Sequence, residues 1–179
     1  MLITDIYRHY QILPNLQTHM LSVAAVGEWL IDHWLKPSFI DPLTIRHTLL
    51  LHDMGNILKF DLNKGKHFLG DEQNNLTHWL QVQTDFKTKF GSNEHHATYT
   101  IAQEIGVSPE VLETLANMGS NQTEQNVAQN NFNHKICTYS DMRVAPHGLV
   151  TVDQRFDDGI NRYQKRPGFS FDQAEKNRN

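Results

Sequence analysis

The segment LLLHDMGN, residues 49–56, holds the most informative chemistry in the chain. Two strong metal-ligand types, His52 and Asp53, directly follow three leucines. An ionised aspartate beside leucines is costly to bury unless a counter-charge offsets it, and a cation is one such partner. Neighbouring residues on a helix point about 100° apart, so both reach one ion only from the edge of a helix face. A helix end just before a glycine, here Gly55, makes that easier. His19 precedes the string MLSVAAVGEWL and is placed to enter a core from one side. Asp141, in KICTYSDMRV, stands among Ile136, Cys137, Met142 and Val144, so its carboxylate also calls for a positive partner. The plain alternative for the doublet is a helix-end pair, with the histidine at the C-terminal dipole and the aspartate in water.

A lone His, a His-Asp doublet and a distant lone Asp, each on a different helical stretch, together resemble the HD superfamily of metal-dependent phosphohydrolases. The strings HTLLLHDMGN, EHHATYTIAQEIG and KICTYSDMRV are similar to the corresponding family segments, and the resemblance covers roughly residues 16–145. It implies an HD-type domain with His19, His52, Asp53 and Asp141 as the ligands of one divalent ion. It also implies hydrolysis of a small phosphate ester, with nucleotides the natural class, by attack of a metal-activated water. In that scheme Asp53 also hydrogen-bonds the water, and His95 or His96 acts as general acid or orients the substrate. Lys59, Lys64, Lys66 and Arg143 are the candidate phosphate contacts.

The chain departs from the family pattern in two places. Asn56 stands where members often carry Lys after the HD string. Glu94-His95-His96 offers candidates for one further ligand, but VLETLANMGSN has no His where the next would stand, which favours a single metal. Mixed His and carboxylate ligation suits Mn, Fe, Co, Ni or Zn, with Mg also compatible, and selects none of them. Two other functions compete: a metal- or nucleotide-binding HD module without turnover, and an iron-dependent oxygenase, which would need the extra histidines.

These groups need helices to position them. Apolar recurrence and punctuation predict helices over 3–12, 16–35, from an Asp41 cap and Pro42 to Asp53, and over 71–90. Further helices are predicted from Ser92 or Asn93 to Gly106, from Ser108-Pro109 to Gly119, over 132–144 and over 152–164. The stretches 61–70 and 120–131 read as polar loops. Few runs alternate, so the expected class is all-α: one helical domain over 1–166 followed by a polar tail over 167–179. Tyr139, Cys137, Trp29, Trp34 and Trp79 read as core residues.

Composition narrows the classes. The 179 residues are 39% apolar and 20% charged, enough for a real core. A net charge of −4 argues against a general nucleic-acid binder, though not against a small anionic ligand. One cysteine excludes an internal disulfide and a cysteine-based zinc site. The N-terminal segment lacks a signal pattern and no stretch reaches a membrane span, so the expected location is the cytoplasm. The expected partner is a small phosphorylated substrate, with no nucleic acid and no membrane, and with homo-oligomerisation left open.

Overall fold

Several helices begin where the chain offers a proline or a side-chain cap. In this computed structural model the described residues are 2–64, 69–119 and 122–163. They form α1 (Ile3–His9), α2 (Pro14–Asp32), α3 (Pro42–Leu51), α4 (Leu76–Phe90), α5 (Glu94–Ile105), α6 (Pro109–Ala116), α7 (Thr123–Ala128), α8 (Phe132–Met142) and α9 (Val152–Tyr163). Pro14, Pro42 and Pro109 open their helices, where a missing N–H costs nothing. Asp41, Asn93 and Asn131 accept the backbone N–H of Leu43, His96 and His134, satisfying donors that a helix start leaves unpaired.

The expected helical class holds, with one addition. The helix expected over 132–144 stops at Met142, and β1 (Val144–Ala145) pairs antiparallel with β2 (Gly148–Leu149). Gly148 takes a φ of 123°, which the turn requires and which side chains rarely adopt. A second correction concerns 120–131, read as a surface loop. It contains α7, whose Asn126 is 1% exposed and donates to the Asn117 carbonyl at 2.7 Å and to Thr138 Oγ1 at 3.2 Å. With acceptors for its NH2 group in place, the side chain is buried in spite of the polar composition around it. The end of the expected domain at 166 and the expected tail lie outside the described residues.

Among the described residues two larger apolar cores form, with a small third cluster of Ala102, Val111 and Leu115 between α5 and α6. The first gathers α1, the start of α2, the end of α3, α4 and α5, around Tyr7, Leu13, Met20, Met54, Val82 and Ile101. The second lies between α2, α3 and α8, around Val23, Ile45, Leu49, Ile136 and Cys137. Cys137 is fully buried as expected. Tyr139 is instead 41% exposed and accepts a hydrogen bond from Arg143 at 2.8 Å. Trp79 is buried, whereas Trp29 is 60% exposed and stacks on His33. Neither aromatic ring needs burial to find a partner, and helix spacing alone does not separate a core face from its margin.

Helices α3 and α8 lie side by side and run in the same direction. At their starts Asn133 Oδ1 accepts the Asp41 N–H at 2.9 Å, and at their ends His52 and Asp141 meet. The Tyr7 hydroxyl donates to the Leu50 carbonyl at 2.7 Å and pins α1 to the last turn of α3. The segment after α3 is irregular: His52 ends the helix, and a short 3-10 turn covers Asn56–Lys59. Among the described residues no helix is long and apolar enough to cross a membrane.

Candidate metal centre

Three helices each deliver one part of the site. On α2, His19 stands three residues after Leu16 and four before Val23, both buried, so it shares their inward face. On α3, Ile45 and Leu49 are buried, and His52 continues their stripe three residues further. On α8, Asp141 lies one turn beyond Cys137, which is also buried. Because Leu49 belongs to the second core and Leu51 and Met54 to the first, the His52-Asp53 doublet falls at the seam between them.

The four residues converge. His19 Nε2 is 3.1 Å from Asp141 Oδ1 and 3.5 Å from Asp53 Oδ2. His52 Nε2 is 3.5 Å from Asp141 Oδ1 and 3.8 Å from Asp53 Oδ1. One ligand atom each from His19, His52 and Asp141 lie within 4.8 Å of one another. Their side chains are graded in exposure: 3% for His52, 18% for His19, 21% for Asp53 and 27% for Asp141. The cluster is therefore closed behind His52 and reachable from solvent on the carboxylate side.

The separations among His19, His52 and Asp141 fit a shared cation, whereas Asp53 approaches the two imidazoles with different oxygens and stands outside that trio. Ligand atoms each ~2.1 Å from an ion lie about 3.0 Å apart at a right angle and about 3.4 Å apart at a tetrahedral angle. The tautomer of His52 fits as well. Its Nδ1 sits 2.8 Å from the Leu49 carbonyl, an acceptor only, so Nδ1 carries a proton and Nε2, which faces the carboxylates, is the nitrogen that takes either a second proton or an ion. That Nε2 is fully buried and, among the described residues, has no hydrogen-bond partner. A buried imidazole nitrogen with a backbone carbonyl fixing its other side is the arrangement that metal-ligating histidines adopt.

The local field is strong. Burial alone depresses the His52 pKa, but the charges of Asp53 and then Asp141 outweigh it and push it up to about 9. For Asp141, burial favours the neutral acid, and the two imidazoles overcome that and hold it well below the usual carboxylate range. The cluster thus keeps its carboxylate ionised and attracts positive charge, whether a proton or a metal.

The other sequence candidates are not among the three residues whose ligand atoms lie within 4.8 Å of one another. His95 and His96 occupy the first turn of α5 and are both exposed; the nearest partner of His95 is Glu94, with Nε2 and Oε1 4.0 Å apart. Lys59 is exposed at the end of the 3-10 turn, and Lys64 pairs with Asp61 at 3.2 Å on the surface. Lys66 lies outside the described residues. Arg143 is engaged locally: Nε donates to the Val150 carbonyl at 2.6 Å and Nη1 to the hydroxyl of Tyr139 on α8 at 2.8 Å. Asn56, at the position compared with a family lysine, is 4% exposed.

Sequence reading overlooked the residues that hold the doublet's turn in place. The Gly55 N–H donates to Thr98 Oγ1 at 2.9 Å, and Gln83 Nε2 donates to the carbonyls of Ile57 at 2.6 Å and Phe60 at 2.9 Å. Their partners are 23 to 43 residues away along the chain, so no local pattern signals them. Comparison with known proteins finds no matching family model, no similar curated protein and no similar solved structure.

Proposed function

We propose that the chain is a metal-dependent phosphohydrolase of HD type acting on a small phosphate ester, with a nucleotide the natural substrate class by resemblance. The observation that carries this reading is the set of His–carboxylate separations of 3.1 to 3.8 Å around a buried His52 Nε2 that is unpartnered among the described residues. His19, His52, Asp53 and Asp141 would hold the ion. When bound, a divalent ion there supplies Lewis acidity toward a phosphoryl oxygen and a lowered pKa for water.

The chain's own residues do the rest. His52 is held by the Leu49 carbonyl in the tautomer that a ligand needs. Asp141 stays ionised because two imidazoles face it. Asp53 is 21% exposed and is the carboxylate of the doublet, placed to accept a proton from a water at the rim. The apolar wall behind His52, with Leu49 and Met54 fully buried, keeps bulk water off one side.

A second reading has its own support. The guanidinium of Arg143 is already engaged locally, and Lys59 is exposed to solvent. A metal- or nucleotide-binding module without turnover therefore remains the competitor. An oxygenase draws less support, because it would need further histidine ligands and the stretch VLETLANMGSN, residues 111–121, supplies none. The deciding experiment is a phosphatase and phosphodiesterase panel on nucleotides with the Mn2+-loaded protein. Divalent-dependent turnover that vanishes in Asp53→Ala is expected. Stoichiometric metal with no turnover across the panel selects the binding module.

Metal uptake should release a proton. His52, with its pKa at about 9, carries a second proton throughout the neutral range, while Asp141 is already ionised and releases none. A metal must displace that proton to reach Nε2, so apparent affinity rises with pH and levels off above about 9. Calorimetric titration at pH 7 in buffers of different ionisation enthalpy should show about one proton released per ion from this group. Binding heats that are independent of the buffer would contradict this account of His52.

A further inference from the structure

The side chain of Asp53 does not sit on a regular helix. Helix α3 ends at Leu51, His52 is its C-cap, and Asp53 and Gly55 belong to the turn that follows. What orients Asp53 is therefore whatever holds that turn, and α5 holds it. Gly55 N–H donates to Thr98 Oγ1 at 2.9 Å in the interior, and Thr98 is 4% exposed. The Gly55 Cα faces the backbone of α5 so closely that a Cβ there would overlap the Glu94 carbonyl oxygen and lie 3.0 Å from Thr98 N. This contact joins backbone to backbone and has no flexible side chain to absorb a shift.

We infer that Thr98 is a positioning residue for the metal centre, acting through the Gly55 amide to fix the direction of Asp53. The inference rests on the metal-centre reading above. Thr98→Val keeps the shape and removes the acceptor, which leaves a buried N–H without a partner. The turn can relieve this only by rotating its peptide groups, and those carry Asp53 two residues away. His19 and Asp141 sit on α2 and α8 and are untouched. Thr98→Ser retains the hydroxyl acceptor.

The test is Mn2+ affinity of the full chain by titration calorimetry for wild type, Thr98→Val and Thr98→Ser. Residues that orient ligands typically change metal affinity by about 10–100-fold, and Thr98→Val should fall in that range. Thr98→Ser should stay within about threefold of wild type, the conservative rescue that loss of packing alone would not give. Wild-type affinity in a folded Thr98→Val overturns the inference. Should that variant fail to fold, the wild type still decides. Coupling is reciprocal, so saturating Mn2+ must slow exchange of the Gly55 amide by about the same factor that Thr98 adds to affinity. An unchanged Gly55 exchange rate overturns the inference. A wild type that binds neither Mn2+ nor Zn2+ removes the metal-centre reading itself, and is recognised because no variant needs to be compared.

Discussion

Asp141→Ala is expected to abolish stoichiometric metal retention and, with it, any divalent-dependent phosphate-ester turnover. Asp141 Oδ1 is the carboxylate oxygen nearest the Nε2 atom of each imidazole, 3.1 Å from His19 and 3.5 Å from His52. Without it, Asp53 alone faces the two histidines. Loss of affinity of at least about 100-fold is expected, since even partners one step removed from a metal cost 10–100-fold. That corresponds to about 2.7 kcal/mol or more. Asp141→Asn should behave similarly, because it keeps the shape and one oxygen but removes the charge that the cation needs. Elemental analysis after dialysis, paired with turnover on the best substrate of the panel, checks both variants. Retention of one ion per chain in Asp141→Ala would remove this residue from the ligand set and leave the convergence of the four groups without its proposed cause.

The largest stability effect is expected at Gly55. Its φ of −89° and ψ of −4° suit any residue, so conformational freedom does not explain the glycine. The close approach does. An added Cβ would overlap the Glu94 carbonyl oxygen and sit 2.9 Å from Ala97 Cβ. Relief requires α5 to move off the turn, which also lengthens the Gly55–Thr98 hydrogen bond. Overpacking of a tight core costs about 1–3 kcal/mol and an unmet buried donor adds about 1–3 kcal/mol, so Gly55→Ala should cost about 3 kcal/mol. For a chain of this size that lowers Tm by about 6–12 °C. Thermal unfolding in excess chelator measures this without a contribution from metal. Gly27→Ala is the informative control: its Cβ would meet the tip of Leu49, a side chain that can rotate away, so it should cost less. Equal losses at the two glycines would contradict the distinction between backbone and side-chain contacts.

Much of the helical architecture is legible locally. Asp41-Pro42, Asn93 and Gly106 act as cap, first turn and stop where their chemistry predicts, because capping depends on residues only two or three positions apart. The failures share a cause. Composition marked 120–131 as solvated, yet Asn126 is buried, its NH2 group donating to Asn117 and Thr138 of other elements. Tyr139 lies between buried residues in sequence but points to Arg143 at the surface. Periodicity gives a stripe, and its edge is decided by what packs beside it.

The sequence by itself determined which groups need compensation. Two histidines and two aspartates embedded among leucine, valine, isoleucine and cysteine carry an electrostatic debt wherever the chain folds around them. Only the tertiary structure decided that the four settle it together. Parallel packing of α3 and α8, with α2 across them, brings residues 122 positions apart to 3.1 Å, and no short-range pattern contains that distance. The tertiary structure also gave Arg143 its partners at Val150 and Tyr139 and set Thr98 against the Gly55 amide. Side-chain direction on a helix follows from position in the chain, but which directions meet depends on how the helices cross.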